Sequence, residues 1–255
     1  PNLDKYIVPS TWREIGAGFT GTFPSAALSY QLYLVNGFKG YNDGPTLDGS
    51  NGFRKGRQKG AESIIHAPNL AFKVNYFGVS GLQLGLSAYT GKTQSSLFNG
   101  LDKSDDLLLA AADSSVVGLS MLGLDARYSL GGLGLRGQAN LGMVSNAGSY
   151  NEFTGSDLGS SVGGWYLELS YDLLHGSERY ESGLIPFIRY EQYSTHRSVE
   201  GPLELNPEYQ RNDLTLGLGW RLASGAMFKT DMQWFSDRST GDSRKQFNAG
   251  VAVWF

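Results

Sequence analysis

Charged side chains in this chain recur two residues apart: Asp125 with Arg127, Arg189 with Glu191, and Lys229 with Asp231, while Lys73, Arg136, Glu168 and Arg221 occupy similar settings. On an extended backbone that spacing puts both members of a pair on one side. The bases Arg127, Arg136, Arg189 and Arg221 nearly balance Asp125, Glu168, Asp172, Glu191, Asp213 and Asp231. Such a surface does one of two things, or both. It forms cross-strand ion pairs that stiffen a wall, or it sets up a transverse field that orders water and sorts polar solutes. Covalent catalysis has less to work with. His66, His175 and His196 have no nucleophile elbow and no paired acid beside them, so no enzyme is expected.

A separate concentration of charge, RKGRQKG over 54–60, holds Arg54, Lys55, Arg57 and Lys59. Folded into an enclosed space, it is a positive field that attracts anions. Left in solvent, it is a loop that pairs with lipid-surface phosphates or neighbouring acids. YNDGPTLDGSNG (41–52) offers oxygen ligands but lacks calcium-loop spacing, and it reads as a turn-rich loop. GLGLRG (132–137) matches a dinucleotide pattern, but Leu133, Leu135, Ala139 and Leu141 continue as strand where a helix is required. SDDLLLAA (104–111) predicts a short helix with Ser104 as its N-cap. No metal or cofactor is implied.

Extended elements must position these charges. Alternation predicts about eleven strands of the length a tilted strand needs to cross a bilayer. They fall near 12–23, 26–38, 67–77, 81–91, 116–130, 132–145, 162–174, 183–195, 212–222, 225–236 and 245–255. Connections alternate between short turns (23–25, 77–81, 130–132, 223–225, and a longer one at 175–182) and long polar segments (39–66, 92–115, 146–161, 196–211, 237–244). A wall threaded back and forth through a membrane has this asymmetry. The phase opposite the charges holds Leu82, Leu84, Leu86 and Ala88; Leu122, Leu124, Ala126 and Tyr128; Trp165, Leu167, Leu169, Tyr171 and Leu173; and Leu214, Leu216, Leu218, Trp220 and Leu222. No charge interrupts these rows. In a water-soluble sandwich the same rows would turn inward.

Aromatic placement favours lipid. Phe23, Tyr76, Tyr128, Tyr171, Trp220 and Phe255 lie near the short turns, and Trp165, Trp234 and Phe247 near the long connections. Two such rows match the interfacial belts of a membrane barrel. Composition agrees, with 35 glycines, 13% aromatics and 18% charged residues among 255. Mean hydropathy is −0.26, because every second residue of a barrel strand is polar. A net charge of −3 offers no footprint for nucleic acid, and the absence of cysteine rules out thiolate metal sites and disulfides.

Barrels of this kind close with an even strand count, whereas the pattern here is odd. The expectation is therefore an all-β transmembrane antiparallel barrel in which residues 1–255 form one domain, the C-terminal part of a larger barrel. The stretches IVPSTWREIGAGFTG (7–21), LSYQLYLVNGF (28–38), RKGRQKG (54–60), GWYLELSYDL (164–173), PFIRYEQY (186–193) and the ending VAVWF resemble bacterial outer-membrane porins of the phosphate-selective-porin-like group. That resemblance implies a passive channel for small hydrophilic solutes, about sixteen strands, an outer-membrane setting with lipid and lipopolysaccharide around it, and a possible homotrimer. A second possibility is a barrel anchoring or scaffolding surface proteins, or an autotransporter translocator. The latter needs an N-terminal helix, and PNLDKYIVPST does not read as one. On the channel reading, Lys73, Arg127, Arg136, Glu168, Arg189, Glu191, Arg221, Lys229 and Asp231 line the path.

Overall fold

Alternating apolar and polar residues can satisfy their backbone groups only by pairing with neighbouring strands, and the chain does so from one end of its pattern to the other. The computed structural model describes residues 1–177, 182–239 and 244–253. The order is α1 (Leu3–Tyr6), β1 (Gly16–Phe23), β2 (Leu28–Val35), β3 (Lys39–Tyr41), β4 (Asn69–Val79), β5 (Leu82–Lys92), β6 (Gln94–Ser95), α2 (Asp106–Ser114), β7 (Gly118–Leu130), β8 (Leu133–Ser145), α3 (Ala147–Thr154), β9 (Ser161–Tyr171), β10 (Gly183–Ser198), β11 (Gln210–Ala223), β12 (Ala226–Asp237) and β13 (Arg244–Val253). Eleven strands form one sheet in the order β1-β2-β4-β5-β7-β8-β9-β10-β11-β12-β13, so every wall strand pairs with its neighbours in sequence. All these pairings are antiparallel. Among the described residues β1 and β13 are the two edges, and the sheet is not closed. The short β3 and β6 pair in parallel outside it.

The two faces differ as the alternation requires. Leu84, Leu86, Leu122, Leu124, Leu167, Leu169, Leu216 and Leu218 are exposed on the outer face. The inner face carries the charges and a buried cluster made with residues 1–15 and 36–58.

Register shows how the strands lean. Tyr76 pairs through Leu84 with Ala126, and Tyr128 lies two residues nearer the short turn. Tyr128 pairs through Leu135 with Leu169, and Tyr171 again lies two residues nearer the turn. Leu169 pairs through Ile188 with Leu216, four residues from Trp220, so Trp220 lies two further turnward than Tyr171. Each aromatic thus descends two residues over two strands. One residue per strand is about 3.3 Å along against about 4.8 Å across, a tilt of about 35°. At that tilt the four rings share one level. Phe23 shares the register row of Tyr76. Trp234 and Phe247 step down relative to Trp165 in the same sense. Phe255 and Trp254 lie outside the described residues.

Three expectations change in detail. The first wall strand begins at Gly16 rather than at residue 12, because residues 1–15 contain a helical turn and fold onto the inner face. The loop helix forms, but its N-cap is Asp105, whose carboxylate accepts from the amides of Leu107 and Leu108. Ser104 donates instead to Asp102. The 92–115 segment contributes β6, too short to be a wall strand.

A depth test follows from the outer face. Leu216→Arg should lower stability in lipid vesicles by about 2–4 kcal/mol, and Leu222→Arg, beyond the Trp220 belt, by about 0–1 kcal/mol. Urea titration of refolded protein measures both, and equal costs would show that this face does not see a hydrocarbon gradient.

Candidate functional site

The inner face has two zones. Toward the long connections its side chains are apolar: Leu119 and Met121 on β7, Val144 on β8, Val162 and Tyr166 on β9, and Tyr193 on β10. Leu3, Ile7, Phe38, Leu47 and Phe53, from the two inserted segments, bury themselves against them. Burying a phenylalanine contributes about 1.5–3 kcal/mol, so Phe38 and Phe53 are the main anchors. Trp12 stacks on Phe38 at 4.2 Å and meets Tyr89 edge-on at 5.0 Å.

Polar ties fix the same segments. The Tyr150 hydroxyl donates to Gly40 O at 2.6 Å, Thr195 donates to Gly49 O, and Phe53 N donates to Tyr6 O at 3.1 Å. Gly52 has φ +56°, and a Cβ there would lie 2.3 Å from Tyr6 O. Only glycine allows that approach. Gln58 bonds Gly37 O and both backbone groups of Ile64, pinning the return of the loop.

Below this plug lies the charged zone. Lys73 Nζ meets Asp125 Oδ2 at 2.9 Å across β5, over Gly85, where a Cβ would stand 2.3 Å from that oxygen. Arg136 Nη2 bonds Glu168 Oε1 at 2.7 Å, Arg189 Nη1 bonds Glu168 Oε2 at 3.1 Å, and Arg189 Nε bonds Glu191 Oε1 at 3.0 Å. Glu191 Oε2 accepts from the amides of Asn2 and Leu3, and Asn2 Nδ2 donates to Asp213 at 2.8 Å. Arg221 pairs with Asp172 at 2.9 Å near the short turns. Lys229 sits 4.2 Å over the Phe187 ring, and Asp231 accepts from Gln233 and Asn248. Arg127 stands exposed on the same face.

Register shows that six of them, Lys73, Asp125, Arg136, Glu168, Arg189 and Lys229, share a height. One row runs Lys73, Ser87, Gly123, Asn140, Gly164, Tyr193, Arg211, Asp237. Measured turnward from it, Asp125 is displaced by two residues at two strands from β4, Arg136 by four at three, Glu168 by four at four, Arg189 by four at five, and Lys229 by eight at seven. This is the slope of the aromatic belt, about one residue per strand, so these six ions form a band at one level across the inner face, with Arg221 and Asp172 nearer the short turns and Glu191 and Asp213 nearer the plug. On β9 that level is Glu168, three residues from Trp165 and three from Tyr171.

The basic cluster lies on the plug. Arg57 donates to Ser10 O and Thr11 Oγ1, and Lys55 pairs with Asp48 at 3.1 Å. Asp48, in the loop considered for calcium, is occupied by Asn51, Ser50 and Lys55. Asn2, Trp12, Glu14 and Tyr89 were not singled out from the sequence. The signal that marks them is the apolar run on the charge-bearing phase at the long-loop ends of β7 to β10.

No known protein family's sequence pattern matches the chain. An uncharacterized protein of Aquifex aeolicus (strain VF5) is 24% identical over 204 residues, covering 80% of this chain and 44% of its own length. The anion-selective porin from Comamonas acidovorans superposes with TM-score 0.51 at 11% identity, over 93% of this chain and 58% of its own. The fold is porin-like. A second porin, at TM-score 0.46 and 14% identity, is too distant to carry an argument. This chain spans about half the length of the proteins it matches.

Within this porin-like wall, Glu14 accepts from the Tyr89 hydroxyl at 3.1 Å, and burial pushes its carboxyl up to about 7. A raised carboxyl favours the folded state while protonated. That contribution is complete below the ordinary value of 4.5 and is lost as pH rises through about 7.

Two outcomes follow. Relative to the intrinsic, hydroxide-dependent exchange rate, the protection of residues 1–15 should fall between about pH 4.5 and 7 in wild type and stay constant in Glu14→Gln; parallel protection profiles would remove Glu14 as the cause. Phe53→Ala should cost about 3–5 kcal/mol and expose 36–58 to protease, whereas an uncleaved loop would mean that Phe53 does not anchor it.

Proposed function

We propose that residues 1–255 form a wall segment, one domain, of an outer-membrane channel that passes small hydrophilic solutes or ions. The observation that supports it best is the band of acids and bases at mid-wall, on a face whose reverse side is leucine bounded by aromatics. Lipid-facing leucines and inward ions are the division a water-filled barrel requires. On this reading Lys73, Arg127, Arg136, Glu168, Arg221, Lys229 and Asp231 line the path. Arg189 and Glu191, with side chains 9% and 1% exposed, hold the band and the first turn of the plug together. The two sheet edges are completed by further strands of a larger barrel, and whole barrels of this kind would assemble as a homotrimer. Anion preference, the property named for the Comamonas porin, would come from Arg54 and Lys59, since Arg57 and Lys55 are engaged locally. The chemistry is transport rather than catalysis, and His196 is buried against Asp157 O and Asn206 N.

The filled upper half of the inner face favours a second reading, a plugged barrel acting as an anchor. Planar-bilayer recording separates them. A channel gives steady ohmic current, and a folded but silent barrel is a scaffold. In a salt gradient, replacing Arg54 and Lys59 by Gln should move the reversal potential toward cations. An unchanged potential removes both from selectivity.

A further inference from the structure

The outer face changes character at the long-loop ends of β9 to β11. Register places Trp165, Gln192 and Asn212 side by side, one step beyond the row Leu167, Tyr190, Leu214 and Trp234. Hydrocarbon has no partner for amides. These open into a recess of about 380 Å³ whose cationic side chains are Arg197 and Arg238. Among the described residues no carboxylate borders it, whereas the inner face alternates acid and base. Arg197 is exposed and its guanidinium lies against Gly163, where a Cβ would come 3.1 Å from Nη1. Arg238 is exposed and spends one nitrogen on Gln210 at 2.8 Å. Arg211 belongs to the inner-face row and turns its guanidinium away from the recess, donating to Glu208 O and Ser50 O and lying over the Tyr6 and Tyr209 rings. The recess therefore offers two cations, Arg197 and Arg238, with amide donors and a ring at its hydrocarbon edge.

We infer that this recess binds the phosphate of an anionic lipid headgroup in the leaflet on the long-loop side. It rests on the membrane reading above. In a bilayer the phosphates lie just beyond the aromatic level, and that is where Trp165 places the arginines. Guanidinium forks suit a phosphate because two parallel N–H groups reach two of its oxygens. A lipid is favoured over a free ion because the recess opens on the face whose next rows are Leu167 and Leu169, where acyl chains would lie. Gly163 contributes by having no side chain, which lets Arg197 lie flat on the wall.

The test uses the full chain in vesicles of phosphatidylcholine alone or with phosphatidylglycerol, with retained lipid counted by native mass spectrometry. Wild type should retain phosphatidylglycerol over phosphatidylcholine. The double variant R197Q/R238Q should lose that preference by about thirtyfold, the effect of two charges beside an anionic surface, while R127Q on the inner face should keep it. Equal retention by R197Q/R238Q and wild type overturns the proposal. Inorganic phosphate displacing the lipid at equal concentration also overturns it, leaving a free-anion site. Protease sensitivity of the strands themselves would show a chain that never entered the bilayer and would sink the membrane reading as well. A chain that inserts and conducts but ignores phosphatidylglycerol sinks this inference alone.

Discussion

A backbone facing hydrocarbon has no water to bond, so every amide and carbonyl must find a partner within the protein. That constraint accounts for most of what is seen here. It makes each strand pair with its neighbours in sequence, and it forces side chains to alternate between two environments. The leucines of β5, β7, β9 and β11 meet one of these, and the ions meet the other. The constraint acts on the backbone and not on particular side chains. Glycine and serine can therefore occupy inner positions such as Gly85, Ser87 and Gly123 without weakening the ladder, and the room they leave is what lets Lys73 reach across β5 to Asp125.

The inner face must then manage its own charges. A buried ion left alone costs several kcal/mol, while one placed between opposite partners is tolerated. Arg189 lies between Glu168 and Glu191, and Glu168 between Arg136 and Arg189. Glu191 has a second oxygen to satisfy, and the amides of Asn2 and Leu3 supply it. The N-terminal segment is therefore anchored at both ends of its polarity scale. Its first turn answers a carboxylate, while Ile7 and Trp12 answer the apolar zone above. Where acids are not available the face becomes apolar, and there loop 36–58 covers it.

The wall was legible in the sequence because its signal is local. Period two identifies a strand and its phase without knowledge of its partner, so the eleven strands, their order and the two faces follow from the residues. The Ser104 expectation failed at a finer scale. Asp105 sits one residue later and accepts from two amides, and near a helix start a carboxylate competes well with a hydroxyl. The plug was less legible because Phe38, Leu47 and Phe53 sit among glycines and charges with no period, and their partners lie far away in sequence. The clue was on the strands: Leu119, Met121, Val144 and Val162 break the polar phase only at the long-loop ends. Glu191 carried no such clue, since its partners are backbone amides that any residues could supply.

Tilt links the two parts of the molecule. Strands that were upright would scatter Lys73, Glu168, Arg189 and Lys229 over a spread of heights, because their register positions differ by up to eight residues. The lean that levels the aromatics levels these ions also, although the two sets lie on opposite faces and have no contact. An ion belt that was only a by-product of strand stiffening would need each pair adjacent, but would have no reason to hold one level across the eight strands from β4 to β12. The shared slope argues that height along the wall, and not pairing alone, placed these charges. A solute moving along the inner face would then meet them together, in a single narrow band.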